Sequence, residues 1–415
     1  VEHIPKKDKI HLRALAKRKR EISELPVMEK RTARWYRHNQ VMPGEPMVVI
    51  ELLSFADDLI PKLKCSVPET RFLERNLLLD IVNHELVDDD KVVTPDLEIP
   101  MKIKAAEYGI DINRKSVVDS TGRHLGYADE HPVKDLNNDL EIIKPASFTY
   151  DRNSTENLTA LACECIGDIL EVKVKNNSLR WHMALTAKAV KLMGMENFFM
   201  ALAADPEGIN QLLGFLRNDI ISFLDWLEEK NLLTLNNGND YAGAGSYGFT
   251  RELPVTKDAE EGNIRIRDLW ANLNSQETVG VSPDMYKEFI YPYYRDLAER
   301  FGLVYYGCCE PVHTVWDGCL ENLPNLRKVS ISPWCDERMM GERLKGSRVI
   351  YSRKPSPNLI GVGSFHEDTF KSHIKETLEA TRGCTVEFIY RDVYTLSGDL
   401  EKPKKAVQII RELAK

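Results

Sequence analysis

Apolar residues recur along this chain in two rhythms, and their alternation predicts an α/β fold. Residues 1 to 40 carry the helical rhythm: Leu12, Leu15, Ile22 and Leu25 form an apolar stripe, with Lys17-Arg18-Lys19-Arg20 on the opposite face. Pro43 and Pro46 bracket a turn, and Met47-Val48-Val49-Ile50 follows without a polar break. A short apolar run between turn residues suits a strand buried on both faces, as in a parallel barrel. Glu51 ends the run, at the position where a barrel carries its chemistry.

From about 60 to 160 the regularity falls. Acidic turns such as Asp88-Asp89-Asp90 and polar stretches around 119 to 139 interrupt the pattern, and one strand is expected within Met101 to Ile112. The interval is too long for a plain connection, so it reads as an insertion that covers the site or extends it. After Leu158 the rhythm sharpens. Asp205-Pro206-Glu207 has the cap, the first-turn proline and the acidic residue of a helix start, and Ile209, Leu212, Leu213, Leu216, Ile220, Leu224 and Leu227 continue at helical spacing. Leu232 to Leu235 is expected as a strand, followed by a polar, glycine-rich loop. Ser282-Pro283-Asp284 opens another helix bearing Met285, Phe289, Leu297 and Phe301, kinked or interrupted at Pro292 and stopped by Gly302. Strands are expected at Leu303 to Tyr306, Lys328 to Ser332, Arg348 to Tyr351 and Thr385 to Tyr390, with a helix from Glu367 to Thr381 between the last two. Such alternation predicts a parallel sheet with right-handed crossovers.

Composition narrows the function classes. The 415 residues hold 56 Lys and Arg against 64 Asp and Glu, a net charge of −8, so the chain repels nucleic-acid phosphates on average. The basic run at 17 to 20 reads as a solvated helix face, with an anion-binding patch as the alternative. No apolar stretch approaches the roughly 18 to 20 residues of a membrane span, and no secretory pattern opens the sequence. Eight cysteines spread over this length form no small disulfide framework. A cytoplasmic protein with free thiols is expected, in which the sequons at Asn153, Asn157 and Asn177 have no role.

The segments after the expected strands are rich in reactive groups. Gly307-Cys308-Cys309-Glu310-Pro311 with His313, then Pro333-Trp334-Cys335-Asp336, Arg353-Lys354-Pro355, and Arg391-Asp392 would gather at one barrel mouth. Adjacent Cys308 and Cys309 point to opposite sides of an extended segment, so one of them faces the pocket; buried cysteine is also a common small core residue. Cys309 or Cys308, Glu310 and Cys384 would supply thiolate and carboxylate ligands suited to Zn2+, although no close CxxC pair exists. Glu310 is the strongest single functional candidate. His313 has a turn-capping alternative, and Asp392 an ion-pairing one. A literal GxGxxG at Gly243, Gly245 and Gly248 precedes Phe249-Thr250-Arg251-Glu252-Leu253-Pro254, a poor helix start, so it reads as a flexible loop rather than a dinucleotide cradle. Asn236 and Asp240, just ahead of it, are placed to bind substrate.

From Leu158 to the C-terminus, and more weakly before it, the chain resembles the uroporphyrinogen decarboxylase superfamily, especially its methyltransferase-like branches. The resemblance rests on Asp205-Pro206-Glu207, on Val281 through Phe289, and on Tyr306-Gly307-Cys308-Cys309-Glu310. Leu323-Pro324-Asn325-Leu326-Arg327 and Ser330-Ile331-Ser332-Pro333-Trp334 extend it. It implies a (β/α)8 TIM barrel over residues 41–415, with a helical extension over 1–40 and an insertion in the first third. The Arg-rich grip of true decarboxylases is not reproduced by Arg31-Thr32-Ala33-Arg34-Trp35-Tyr36-Arg37, and Tyr306-Gly307-Cys308 stands where the corrinoid-dependent methyltransferases have a His-x-Cys zinc motif. Gly383-Cys384 loosely matches their later cysteine.

The resemblance therefore implies methyl transfer between a small molecule and a thiol or a corrinoid (cobalamin) on a separate protein. Zn2+ on Cys309, Glu310 and Cys384 would assist, Lys354 and Asp392 would orient substrate, and Glu51, Asn236, Asp240, Trp334 and Asp336 would line its pocket. Decarboxylation of a tetrapyrrole or other carboxylated substrate is the alternative, and a barrel that binds without catalysis a third reading. Enzymes of this shape often form homodimers.

Overall fold

The computed structural model of the chain describes residues 4–106, 108–110, 112–118 and 124–415. Eight strands carry the fold: β1 (Met47–Ile50), β2 (Asp96–Pro100), β3 (Glu171–Lys175), β4 (Trp270–Leu273), β5 (Leu303–Tyr306), β6 (Leu326–Ile331), β7 (Ile350–Arg353) and β8 (Val386–Tyr390). Six of them form one parallel sheet in the order β1-β8-β7-β6-β5-β4, and β2 pairs with β3 in a second parallel ladder. Among the described residues no backbone ladder joins the two sheets. Side chains reach across instead. The free edge of β1 is met by Asp89 and Asp90, whose carboxylates accept from Ile50 N and Val48 N at 2.8 Å. On the other side, Asn236 closes on both backbone groups of Trp270 in β4, while Lys175 and Asn176 at the end of β3 bond Leu235 O and Leu232 O.

That bridging explains one failed expectation. Leu232 to Leu235 is not a strand; Leu232 and Leu233 are buried, and the segment's polar groups are met by Asn176 and Lys175 rather than by a backbone ladder. Three of these eight strands go unread in the sequence. Trp270–Leu273 is short and interrupted by Asn272, and β2 and β3 alternate polar with apolar residues, as half-exposed strands do. The remaining strands lie within two residues of their expected positions.

The N-terminal stretch is two helices, Lys6–Ser23 and Pro26–Asn39, with Pro26 opening the second. Asp205 caps the helix Pro206–Glu229 by accepting from Gly208 N at 2.9 Å. The interruption expected at Pro292 is a wide π-type turn at Tyr286–Ile290, after which the proline sits in the first turn of a fresh helix. Of the expected strand within 101 to 112, Ile103–Ala106 forms; Glu107 and Asp111 lie outside the described residues, as do 119 to 123. Ile103–Ala106 pairs antiparallel with Ser147–Tyr150, and Arg114–Val118 with His124–Asp129. Phe148 packs against Phe223 and Trp226, so this part of the insertion is seated on the outer helix Pro206–Glu229.

The two faces of the main sheet differ sharply. Val48, Ile50, Val304, Tyr306, Val329, Ile331, Phe388 and Tyr390 point outward into a large apolar core shared with the surrounding helices. Inward, the same strands carry Lys328, Ser330, Ser352, Glu387 and Tyr305 beside Met47, Val49 and Ile389. Strands buried along nearly their whole length therefore present an interior that is half polar.

The glycine-rich segment fills that interior, contrary to its reading as a flexible loop. Tyr241–Gly243 and Ser246–Tyr247 form a small hairpin, and its glycines are packing requirements. A Cβ on Gly243 would lie 2.4 Å from the Tyr305 ring, and one on Gly248 would lie 2.1 Å from Asn236 O. Ser246 at its tip is fully buried, accepting from Lys328 Nζ at 2.7 Å and donating to Glu387 at 3.0 Å. The helix Pro26–Asn39 seals the same end: His38 meets Glu387 at 3.1 Å, and Trp35 and Trp270 present their rings to Lys328 at 5.2 and 5.8 Å. Burial would push the Glu387 carboxyl up, but Lys328 and His38 hold it well below the usual range.

Candidate functional site at the strand ends

Above this plug, residues from four strand ends come together. Glu51 follows β1, Cys308 and Cys309 follow β5, Lys354 follows β7, and Arg391 and Asp392 follow β8. Arg391 lies at the centre, its Nε 3.2 Å from Glu51 Oε2 and its Nη1 3.2 Å from Cys308 Sγ. The two sulfurs are 3.6 Å apart, and Cys309 Sγ approaches Asp392 Oδ2 at 3.7 Å. Asp392 is held there in the left-handed region, at φ 58°, a conformation that short polar side chains tolerate better than most.

The electrostatics are those of a partly desolvated cluster. The hydrogen bond within the thiol pair holds Cys308 as the protonated partner and favours the thiolate at Cys309. Burial raises the Glu51 carboxyl against the pull of Arg391. Lys354 is buried, donating to Tyr305 Oη at 2.6 Å and Ser352 Oγ at 2.7 Å. Burial lowers its ammonium to about 7, even though Glu387 and Glu51 oppose the shift. A lysine tuned to neutrality at a strand end can both give and take a proton.

The other expected site residues are placed differently. Glu310 is buried, and each of its oxygens accepts a backbone N–H at 2.8 Å, from Ser275 and from Cys308. Its carboxylate thus braces the turn that presents the thiols. Asp336 accepts from Met339 N at 3.0 Å and caps the helix Glu337–Leu344, while Trp334 is 74% exposed. Asn236 is committed to Trp270, and Asp240 pairs with Lys175 at 2.7 Å. The space beside Asn236 and Asp240 is a narrow 30 Å³, against 240 Å³ for the cavity beside Glu51.

The zinc set does not assemble. Cys384 precedes β8 and bonds Gly341 O at 3.3 Å, whereas Cys309 lies past the end of β5. The five residues of β8 alone span roughly 16 Å, so these thiols belong to opposite rims. Glu310 is spent on two backbone donors. Among the described residues no group of three or more His, Cys, Asp and Glu side chains is arranged to hold a metal. Cys309, Glu310 and Cys384 therefore do not fit Zn2+.

Next to Glu51 opens a cavity of 240 Å³, bounded by β1, β2 and the glycine-rich hairpin. Tyr241 and Arg180 line it; Arg180 stacks over the Tyr241 ring at 5.5 Å, and Arg391 over Trp181 at the same distance. Sequence reading missed Arg180 and Glu98 because they sit on a loop and a strand that carry no motif, and Tyr241 because the glycine motif beside it reads as a loop. Arg391 was legible as a charged residue past a buried strand, but its bonds to Glu51 and Cys308 span 340 and 83 positions.

No protein-family model matches the sequence, and no curated protein does. Among solved structures, a methyltransferase from Methanosarcina mazei is similar over 92% of this chain and 98% of that one, with a TM-score of 0.51 at 13% identity. A likeness at that identity is one of fold: a mixed α/β, barrel-like architecture.

Proposed function

We propose that the chain is a methyl-transferring enzyme with its reaction centre at the ends of β1, β5, β7 and β8. The observation that carries this reading is Lys354, a buried amine tuned to about 7 within electrostatic reach of Arg391 and Cys308, on a fold similar to that of a methyltransferase. In the step envisaged, an acceptor's electron pair forms the new bond to the methyl carbon as the bond from carbon to the donor's heteroatom breaks. That heteroatom keeps the electron pair and takes a proton from Lys354. Arg391, fixed by Glu51, holds charge on the substrate in place. A corrinoid on a separate protein, which supplies a strong cobalt nucleophile, is the acceptor we favour, with an external thiol second. The free thiols suit a reducing cytoplasm, and among the described residues no helix is long and apolar enough to cross a membrane.

The test supplies isotopically methyl-labelled O-, S- and N-methyl small molecules together with reduced cobalamin or a thiol, and measures label on the acceptor by mass spectrometry. Label transfer that collapses in Lys354→Met supports the reading. Absence of transfer from every donor class would overturn it. The cations Lys354, Arg180 and Arg391 at one mouth also suit a decarboxylase that grips a carboxylate, and carbon dioxide release without methyl transfer would favour that alternative.

A further inference from the structure

The cavity beside Glu51 holds an unusual residue of unspent bonding capacity. Most charges on its wall are matched. Asp80 lies between Lys19 at 2.6 Å and Lys91 at 2.7 Å, Asp96 pairs with Lys173 at 2.7 Å, and Glu51 with Arg391. Two opposite charges remain. Glu98 in β2 accepts no hydrogen bond and has no ion-pair partner among the described residues, and burial pushes its carboxyl upward. Arg180 stacks on Tyr241, and among the described residues no carboxylate lies within ion-pair distance of its guanidinium, although its charge is felt at Glu98.

Neutral groups on the same wall are equally unspent. Asn83 is 1% exposed, and neither atom of its side-chain amide has a partner. Asn239 Oδ1 is buried without a partner as well, and Tyr241 Oη is approached only by the backbone N–H of Gly245, which leaves its own hydrogen to be placed. Buried polar groups are normally satisfied, and a concentration of exceptions around one cavity marks a place where something else completes them.

We infer that this cavity is the seat of a small zwitterion of the amino-acid type, its carboxylate on Arg180 and its ammonium on Glu98, with Asn83, Asn239 and Tyr241 completing its hydrogen bonds. A dianion would satisfy Arg180 and be repelled by Glu98; a dication would do the reverse. An apolar ligand would strand all five groups. A volume of 240 Å³ suits a molecule of this small size. The ligand's role as methyl donor rests on the function proposed above, whereas its binding does not.

The experiment is isothermal titration of the full chain with N,N-dimethylglycine and with two near-isosteric half-ligands. These are isovalerate, which lacks the cation, and N,N-dimethylpropylamine, which lacks the anion. The zwitterion is expected to bind about tenfold or more tightly than either half, because each half leaves one charge of the site unpaired. Glu98→Gln is expected to weaken dimethylglycine about tenfold while sparing isovalerate, and Arg180→Gln to weaken both. Thermal melting of the variants confirms that they are folded. Equal affinity for all three ligands would overturn the assignment, as would zwitterion binding indifferent to both substitutions, or no saturable binding of glycine, sarcosine or dimethylglycine at millimolar concentration. Methyl transfer is not read in this experiment, so failure here and failure of the proposed reaction are told apart.

Discussion

The two ends of the same inner sheet face treat charge in opposite ways. At the plugged end, Lys328, Glu387, His38 and Ser246 are buried and meet one another at 2.7 to 3.1 Å, with two tryptophan rings against the lysine. At the open end, Glu51 lines a cavity, while Arg391, Lys354 and Cys308 are partnered at the neighbouring strand ends at 2.6 to 3.2 Å. The same residue types appear in both places. What separates structure from function is whether a charge's remaining valences are filled by the protein, and that depends on the hairpin and on the helix Pro26–Asn39.

The comparison breaks most visibly at the plugged end. Lys328→Met leaves Glu387 buried without its cation and is expected to cost about 3–5 kcal/mol of stability by urea denaturation, with the double variant Lys328→Met/Glu387→Leu recovering most of it. An unchanged single variant would mean that the charge network does not hold this end together.

At the open end the loss falls on activity. Lys354→Met is expected to lower methyl transfer roughly 10²- to 10³-fold. Acid assistance by Lys354 should fade as pH rises through about 7. The stability effect has the opposite sense. Between about 7 and the ordinary lysine value of 10.5 the unfolded chain binds more protons at this position than the folded one. Stability attributable to Lys354 therefore increases with pH across that window, and Lys354→Met should flatten the slope of unfolding free energy against pH.

A smaller effect tests the plug. The Cβ of Gly243→Ala meets the Tyr305 ring at 2.4 Å, so the hairpin or the ring must shift; a cost of about 1–3 kcal/mol is expected from overpacking, read as a lowered melting temperature. Smallest of all is Cys384→Ala, which should leave turnover unchanged and stability within about 1 kcal/mol, since that thiol stands on the far rim. A large loss of turnover there would reinstate it in the site.

How much of this was legible in the sequence depends on the range of the interaction. Capped helices and short strand-like runs between them are local patterns, and Asp205, the helix after it, and β1, β5, β6, β7 and β8 lie within two residues of where the pattern puts them. Lys354, Asp392 and Glu51 were identifiable because a charged residue just past a buried strand has few other reasons to be there. Glu310 and Asp336 satisfy the same criterion yet bond backbone N–H groups, a distinction made by neighbours at Ser275 and Met339 and not by residue type. Cys384 was assigned to the wrong rim because it precedes its strand. The glycine motif misled because glycine spacing records close approach without naming the partner; here the partners are Tyr305, Ile389 and Asn236 O.

A barrel-like sheet whose interior is occupied by its own backbone has a shallow bowl in place of a shaft. The hairpin between residues 241 and 247 forms the floor of that bowl, so lengthening this one turn would make the space above it shallower without touching the walls supplied by β1 and β2.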